Sequence, residues 1–416
     1  MPLWFIIVAV IFSMYSAWNI GANDVANAMG TSVGSRALTL KRAVILAGIC
    51  EFCGAVLVGS HVTDTIRKGI VDPMTFVANP EKLALGMLAA LICSAIFLNL
   101  STVLGMPVST THAIVGAVAG FGVIEAGPHA IYWSKIVSII VSWMVAPLFG
   151  AIMAFCVFKY ISRKILSKPK PFERAVHHAP YLIFAVAFTL CLSIIYKGLS
   201  HLFSDVPLVT ALLISLLLGT LAFMATRCFF RTYTIKNGIP DEYLTLEYRR
   251  VEKIFAFMQI ITACYVAFAH GANDVANAVG PVAAIVSIVK TNTVAMQVEV
   301  PIGILLLGGI GIVLGLATFG YRVIETIGKK ITEITPSRGF AAEFATATTV
   351  LICSKMGLPI STTHTLVGSV IGVGFARGIA ALDFGVVRKI VSSWFITIPL
   401  SAGLTMVVFK LLVFIY

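Results

Sequence analysis

The stretch Gly21-Ala-Asn-Asp-Val-Ala-Asn-Ala28 recurs letter for letter from Gly271 to Ala278, each copy at the end of a long apolar run. An ionisable Asp and two amides thus stand where a membrane span is expected to be purely oily. Asp24 and Asp274 each cost roughly 2.5 to 3.5 kcal/mol at the centre of a bilayer, so their retention in identical surroundings points to a functional site. The duplication points further, to one site built from two halves.

The composition around these motifs is that of a polytopic membrane protein. Of 416 residues, 59% are apolar and 12% charged, and the mean hydropathy is +0.98, far outside the soluble range. Apolar stretches long enough to cross about 30 Å of hydrocarbon lie at 3–20, 43–60, 83–104, 108–124, 136–158 and 181–196. Six more lie at 208–224, 254–270, 302–319, 340–356, 360–375 and 390–416. The first has no basic residue before it and no small-residue cleavage site after it, which reads as a retained span. The expected fold is therefore all-α, with about twelve hydrophobic helical segments in a cell membrane.

The net charge of +12 does not call for a nucleic-acid partner. With twelve alternating passes and the amino terminus outside, 22 of the 30 basic residues fall on the cytoplasmic side. That is the positive-inside asymmetry, and the charge orients the chain in its bilayer. The eight cysteines are scattered through apolar runs and suggest no disulfide framework. Cys50 and Cys53 form a C-x-x-C, but without a second pair or a neighbouring His they read as small apolar helix residues. No cofactor is expected.

The repeat extends beyond the octapeptide. Gly105-Met-Pro-Val-Ser-Thr-Thr-His112 returns as Gly357-Leu-Pro-Ile-Ser-Thr-Thr-His364, and Lys135-Ile-Val137 before Trp143 returns as Lys389-Ile-Val391 before Trp394. The octapeptides are 250 residues apart and the second motifs 252. This divides the chain into a first repeat at 1–160, two linking segments with basic flanks at 161–250, and a second repeat at 251–416. Seven passes separate the two octapeptides, an odd number, so the repeats are expected to be inverted, the usual plan of a secondary transporter. The Gly-x-Pro turns at Gly105 and Gly357 suit hairpin tips. Segments three and four, and ten and eleven, are thus candidates for re-entry instead of crossing, which leaves the parity unchanged.

On a helix, Asn23, Asp24 and Asn27 share a face, as do Asn273, Asp274 and Asn277. Their oxygens are hard ligands suited to Na⁺, and the amide NH₂ groups of Asn23 and Asn273 can also donate to an anion. Gly21 and Gly271 are expected to let the helix break and expose carbonyls. Ser109, Thr110 and Thr111 follow Pro107, and Ser361, Thr362 and Thr363 follow Pro359, so each triplet opens a helix. Unpaired N–H groups, a partial positive charge and hydroxyl donors make such a start an oxyanion cradle as well as a cap. His112 and His364 are weaker candidates, able to orient hydroxyls, donate to an anion, or pack. Glu51 and Glu343 are further carboxylates within or at the edge of apolar segments.

Neither motif pair contains Arg or Lys, so an oxyanion there would face carboxylates with no fixed positive partner. In low dielectric that is prohibitive unless cations or protons arrive too. Anion and cation binding are then reciprocally coupled, which is the physical basis of symport.

With these paired motifs and the run Thr65-Ile-Arg-Lys-Gly-Ile70, the chain resembles the inorganic phosphate transporter family, the sodium- or proton-coupled phosphate permeases. The resemblance implies symport of inorganic phosphate by an elevator-like or rocking movement of a core against a scaffold, commonly in a homodimer. It also implies cation and phosphate binding at Asn23, Asp24, Asn273, Asp274, Ser109, Thr110, Ser361 and Thr362, and coupling roles for Glu51 and Glu343. The long hydrophilic loop between the halves of many eukaryotic relatives is nearly absent. Na⁺ is the expected coupling ion, with H⁺ coupling or sulfate as variants. An intramembrane hydrolase using Ser109 or Ser361 lacks a nucleophile elbow, and an anion channel conflicts with buried acids.

Overall fold

A computed structural model describes residues 2–59, 70–195, 206–237, 244–294, 300–325, 332–355 and 360–416. Its thirteen α-helices are α1 (Trp4–Gly34), α2 (Leu40–Val58), α3 (Pro80–Val103), α4 (Thr110–Ala126), α5 (Trp133–Ile161), α6 (Pro171–Ser193) and α7 (Leu208–Asn237). They continue with α8 (Leu244–Thr291), α9 (Ile302–Thr318), α10 (Tyr321–Glu325), α11 (Pro336–Lys355), α12 (Thr362–Arg377) and α13 (Phe384–Ile415). The fold is all-α, with one isolated bridge between Val71 and Ile131 among the described residues. Every apolar stretch read from the sequence carries a helix. Seven of the helices are long and apolar enough to cross a membrane, while α4 and α9, at 17 residues each, are shorter.

The octapeptides do not break their helices. The first lies inside α1 and the second inside α8, a single helix of 48 residues. Gly21 and Gly271 serve close approach instead. A Cβ added at Gly21 would overlap the Ile312 carbonyl, and one at Gly271 would overlap that of Glu51. The crossings are reciprocal: Gly315 meets the Trp18 carbonyl and Gly54 meets that of Phe268. Trp18 and Gly21 correspond to Phe268 and Gly271 at a shift of 250, and Glu51 and Gly54 to Ile312 and Gly315 at a shift of 261. Each octapeptide helix therefore packs backbone to backbone on a helix from the opposite half, in the manner of small-residue membrane contacts.

The same exchange recurs at the second motif, where α4 packs on α13 and α12 on α5. Gly116 approaches the Ile398 backbone and Gly368 that of Pro147. Helices α6 and α7 pair with each other, and α6 also touches α8.

Helices α3 and α4 form the expected hairpin, and its tip is explained residue by residue. Gly105 adopts φ 66°. Its N–H bonds to the Thr102 carbonyl and the Met106 N–H reaches back to Ser101, a Schellman termination. Four residues on, Ser109 caps α4 by accepting from the His112 N–H at 3.3 Å. Ser361 caps α12 identically, from His364 N–H at 3.3 Å. The expected turn at Gly357 and Pro359, and residues 65–69 of the Thr65 run, lie outside the described residues.

Candidate functional site

The two octapeptide helices and the two capped helix starts converge on one buried chamber, again with the halves exchanged. Asp24 Oδ1 accepts from Asn27 Nδ2 at 2.8 Å and from the Thr363 hydroxyl at 3.1 Å. Asn27 Nδ2 also reaches Thr363 Oγ1 at 2.8 Å. Across the chamber, Asp274 Oδ1 accepts from Asn273 and Asn277 at 3.1 Å each and from Thr111 at 3.4 Å. Asn277 Nδ2 touches both Thr110 and Thr111 hydroxyls at 3.3 Å, and Thr362 Oγ1 lies 3.4 Å from Asp274 Oδ2. Asp24, Asp274, Asn27, Asn277, Ser109, Thr110 and all three of Ser361, Thr362 and Thr363 are buried, while Asn273 and Thr111 are half-buried.

Asn23 is engaged elsewhere. Its amide donates to Thr102 Oγ1 at 3.0 Å and the Met106 carbonyl at 3.1 Å, and accepts from the Val108 N–H at 3.2 Å. All of its functions but one lone pair are spent pinning the tip of the α3–α4 hairpin to α1.

His270 occupies the centre. Its Nε2 lies 2.9 Å from Asp274 Oδ2 and 3.4 Å from Asp24 Oδ2, and its Nδ1 lies 3.3 Å from Glu51 Oε1. The imidazole is wholly buried, as is Glu51. These are ion-pair distances without hydrogen-bond alignment: Asp24 Oδ2, both Glu51 oxygens and both ring nitrogens lack an aligned partner. Buried polar atoms left in this state are rare. Asp24, His270 and Asp274 together present ligand atoms close enough to hold one cation.

Glu343 sits apart, in a cage of donors. Oε1 receives Thr31 at 2.5 Å, Ser32 at 2.8 Å and Gln259 at 3.1 Å, and Oε2 receives Thr262 at 2.6 Å. Every donor is neutral, so the carboxylate is fully solvated by protein without a fixed countercharge. At the repeat shifts, Glu343 corresponds to Leu91 and Gln259 to Ala9, both buried. The cage draws donors from both halves and is not duplicated at these equivalent positions.

His112 and His364 point away from the acids and meet each other, ring centroids 4.5 Å apart, between Trp143 at 4.1 Å from His112 and Trp394 at 3.7 Å from His364. The quartet packs together the two helix starts. Neither imidazole reaches a residue of the acidic chamber.

Residues 20–405 of the chain match the Phosphate transporter family. The chain belongs to the phosphate transporter family. It is 46% identical to the Pyrococcus abyssi protein named "Putative phosphate permease", over 98% of both chains. It is 44% identical to the Arabidopsis thaliana "Inorganic phosphate transporter 2-1, chloroplastic", over 96% of this chain and 70% of that one. A solved structure titled "The sodium-dependent phosphate transporter" superposes with a TM-score of 0.90 at 42% identity, covering all of both chains. The protein is a multi-pass membrane transporter and not an enzyme.

Within this phosphate transporter, the structure brings Asp24, Asn27, Asp274, Asn277, Thr110, Thr111, Thr362 and Thr363 into one chamber. Glu51 joins them through His270, whereas Glu343 occupies its own cage. Sequence reasoning overlooked His270, which among the described residues is the group able to carry positive charge beside Asp24, Glu51 and Asp274. A signal was present: His270 directly precedes the second octapeptide, where the first copy has Ile20.

Proposed function

We propose that the chain imports inorganic phosphate by Na⁺ symport, through two inverted halves that share this chamber. The carrying observation is the exchange itself. Each Asp of an octapeptide lies against the helix start of a hairpin from the other half, so a ligand bound by one motif is felt at once by both. Thr110, Thr111, Thr362 and Thr363, with the N-terminal amides of α4 and α12 capped by Ser109 and Ser361, form the phosphate cradle. Asp24, Asp274, Asn27, Asn277 and Asn273 supply oxygens to Na⁺, and Asn23 holds the cradle in place. Without cations, phosphate would enter beside three carboxylates; with them, the charges balance. Glu51 and Glu343 tie cation occupancy to the packing of α2 and α11.

A specific observation favours H⁺ as a second reading. His270 faces three carboxylates through both ring nitrogens, and an imidazole that gains a proton there neutralises one charge with no Na⁺. Uptake of labelled phosphate into proteoliposomes, with and without an inward Na⁺ gradient at fixed pH, separates the two. Sodium coupling predicts uptake that collapses without the gradient; uptake that follows a pH gradient alone eliminates it. Excess sulfate is expected to leave phosphate uptake unchanged.

A further inference from the structure

The linking helices α6 and α7 play no part in the chamber, yet they enclose a cavity of about 440 Å³ lined by Phe172, Glu173, His177, Tyr181, Arg227 and Arg231, among others. We infer that this cavity binds the headgroup of an anionic phospholipid, with Arg227 and Arg231 on its phosphodiester.

Four observations converge. Arg227 and Arg231 are one helical turn apart on the same face of α7, both exposed, and neither has a salt-bridge or hydrogen-bond partner among the described residues. The acid of the cavity is already engaged, since Glu173 pairs with Lys170 at 3.2 Å. The walls are aromatic: Phe172 and Phe230 are buried, and the Tyr181 and Phe223 rings meet edge to face at 5.1 Å.

The fourth observation is depth. Helix α7 is the least covered of the long apolar helices together with α13, and Leu213, Leu217, Leu221 and Met224 form an exposed apolar stripe running up to Arg227. One leaflet of hydrocarbon, about 15 Å, corresponds to roughly ten helical residues, the interval from Leu217 to Arg227. An acyl chain on the stripe therefore delivers its phosphate to the arginines. The flanks 159–174 and 227–253 each carry six basic residues, which places the cavity on the cytoplasmic side, where anionic lipid headgroups meet basic pockets between helices.

The test uses the full-length protein, purified and delipidated in neutral detergent, with phosphatidylglycerol or phosphatidylcholine of the same chains added back. Bound lipid is read by native mass spectrometry. The expected result is retention of phosphatidylglycerol at least tenfold above phosphatidylcholine, lost in Arg227→Gln/Arg231→Gln and kept in Arg227→Lys/Arg231→Lys. Phosphate uptake serves as the folding control; should the Gln pair fail it, the wild-type lipid preference and the Lys pair carry the decision. Equal retention of both lipids, or unchanged phosphatidylglycerol in a folded Gln pair, overturns the inference. So does displacement of the lipid by 10 mM inorganic phosphate, as ~10 mM suffices only if a free anion fits the site as well. A Gln pair that changes only the oligomeric state would instead assign the face to a second copy of the chain.

Discussion

His270 and Glu51 are the residues at which the two halves part company. The crossing that brings them together, Gly271 on Glu51, has its counterpart in Gly21 on Ile312. By the same correspondence the polar pair His270 and Glu51 is matched by Ile20 and Ile312, both wholly buried. Both members of the pair differ together, polar on one side and apolar on the other, so each is needed by the other. Replacing His270→Ile alone leaves Glu51 buried without a countercharge and is expected to destabilise by about 3 to 5 kcal/mol. The double variant His270→Ile/Glu51→Ile copies the apolar crossing; its thermal unfolding should return toward wild type while phosphate uptake stays lost. A double variant less stable than the single one would refute the pairing. At Gly21, where a Cβ has no room, Gly21→Ala is expected to cost about 1 to 3 kcal/mol by overpacking, readable as a lowered unfolding temperature.

At the scale of the element, the hairpins owe their shape to short-range chemistry. Ser109→Ala and Ser361→Ala each remove one cap, worth about 1 kcal/mol, and slacken a helix start that faces the opposite Asp. Both should raise the KM for phosphate more than they lower the maximal rate, and a change confined to the rate would count against the cradle. The open ends of the hairpins are latched by ion pairs. Lys82 binds Glu125 at the α3–α4 base, and Arg377 binds Glu333 at 3.2 Å beside α11 and α12. Glu125 and Arg377 are equivalent at the repeat shift of 252, with the charges reversed. Glu125 is largely buried and also faces Lys410 at 3.7 Å, so Glu125→Gln should loosen the base of the hairpin, and hydrogen exchange at the α4 carboxy-terminal end should accelerate.

For the whole molecule, the exchange of helices between halves sets how it assembles. Helix α1 rests on α9, α2 on α8, α4 on α13 and α5 on α12, so neither half buries its own polar faces. A chain cut between α7 and α8 is expected to yield halves that are degraded when expressed singly, and that co-purify and transport phosphate when expressed together. Stable accumulation of one half alone would contradict this.

The sequence by itself determined the membrane class, the apolar segments that carry helices, the twofold duplication and the hairpin tip at Gly105, because these depend on hydropathy, repetition and local turn chemistry; the short helix Tyr321–Glu325 lies outside those segments. It also singled out Asp24, Asn27, Asp274, Asn277 and the Ser-Thr-Thr starts, which the structure gathers in one chamber, since each motif is contiguous and identical in both copies. Only the tertiary structure decided that the octapeptide helices run on unbroken, because the reason for Gly21 and Gly271 is a neighbour about 290 residues away in one case and 220 in the other. It alone decided that Asn23 clamps a hairpin tip and that His270 sits among three carboxylates. Those roles arise from side chains meeting across helices of opposite halves, and no spacing along a single chain encodes such a meeting.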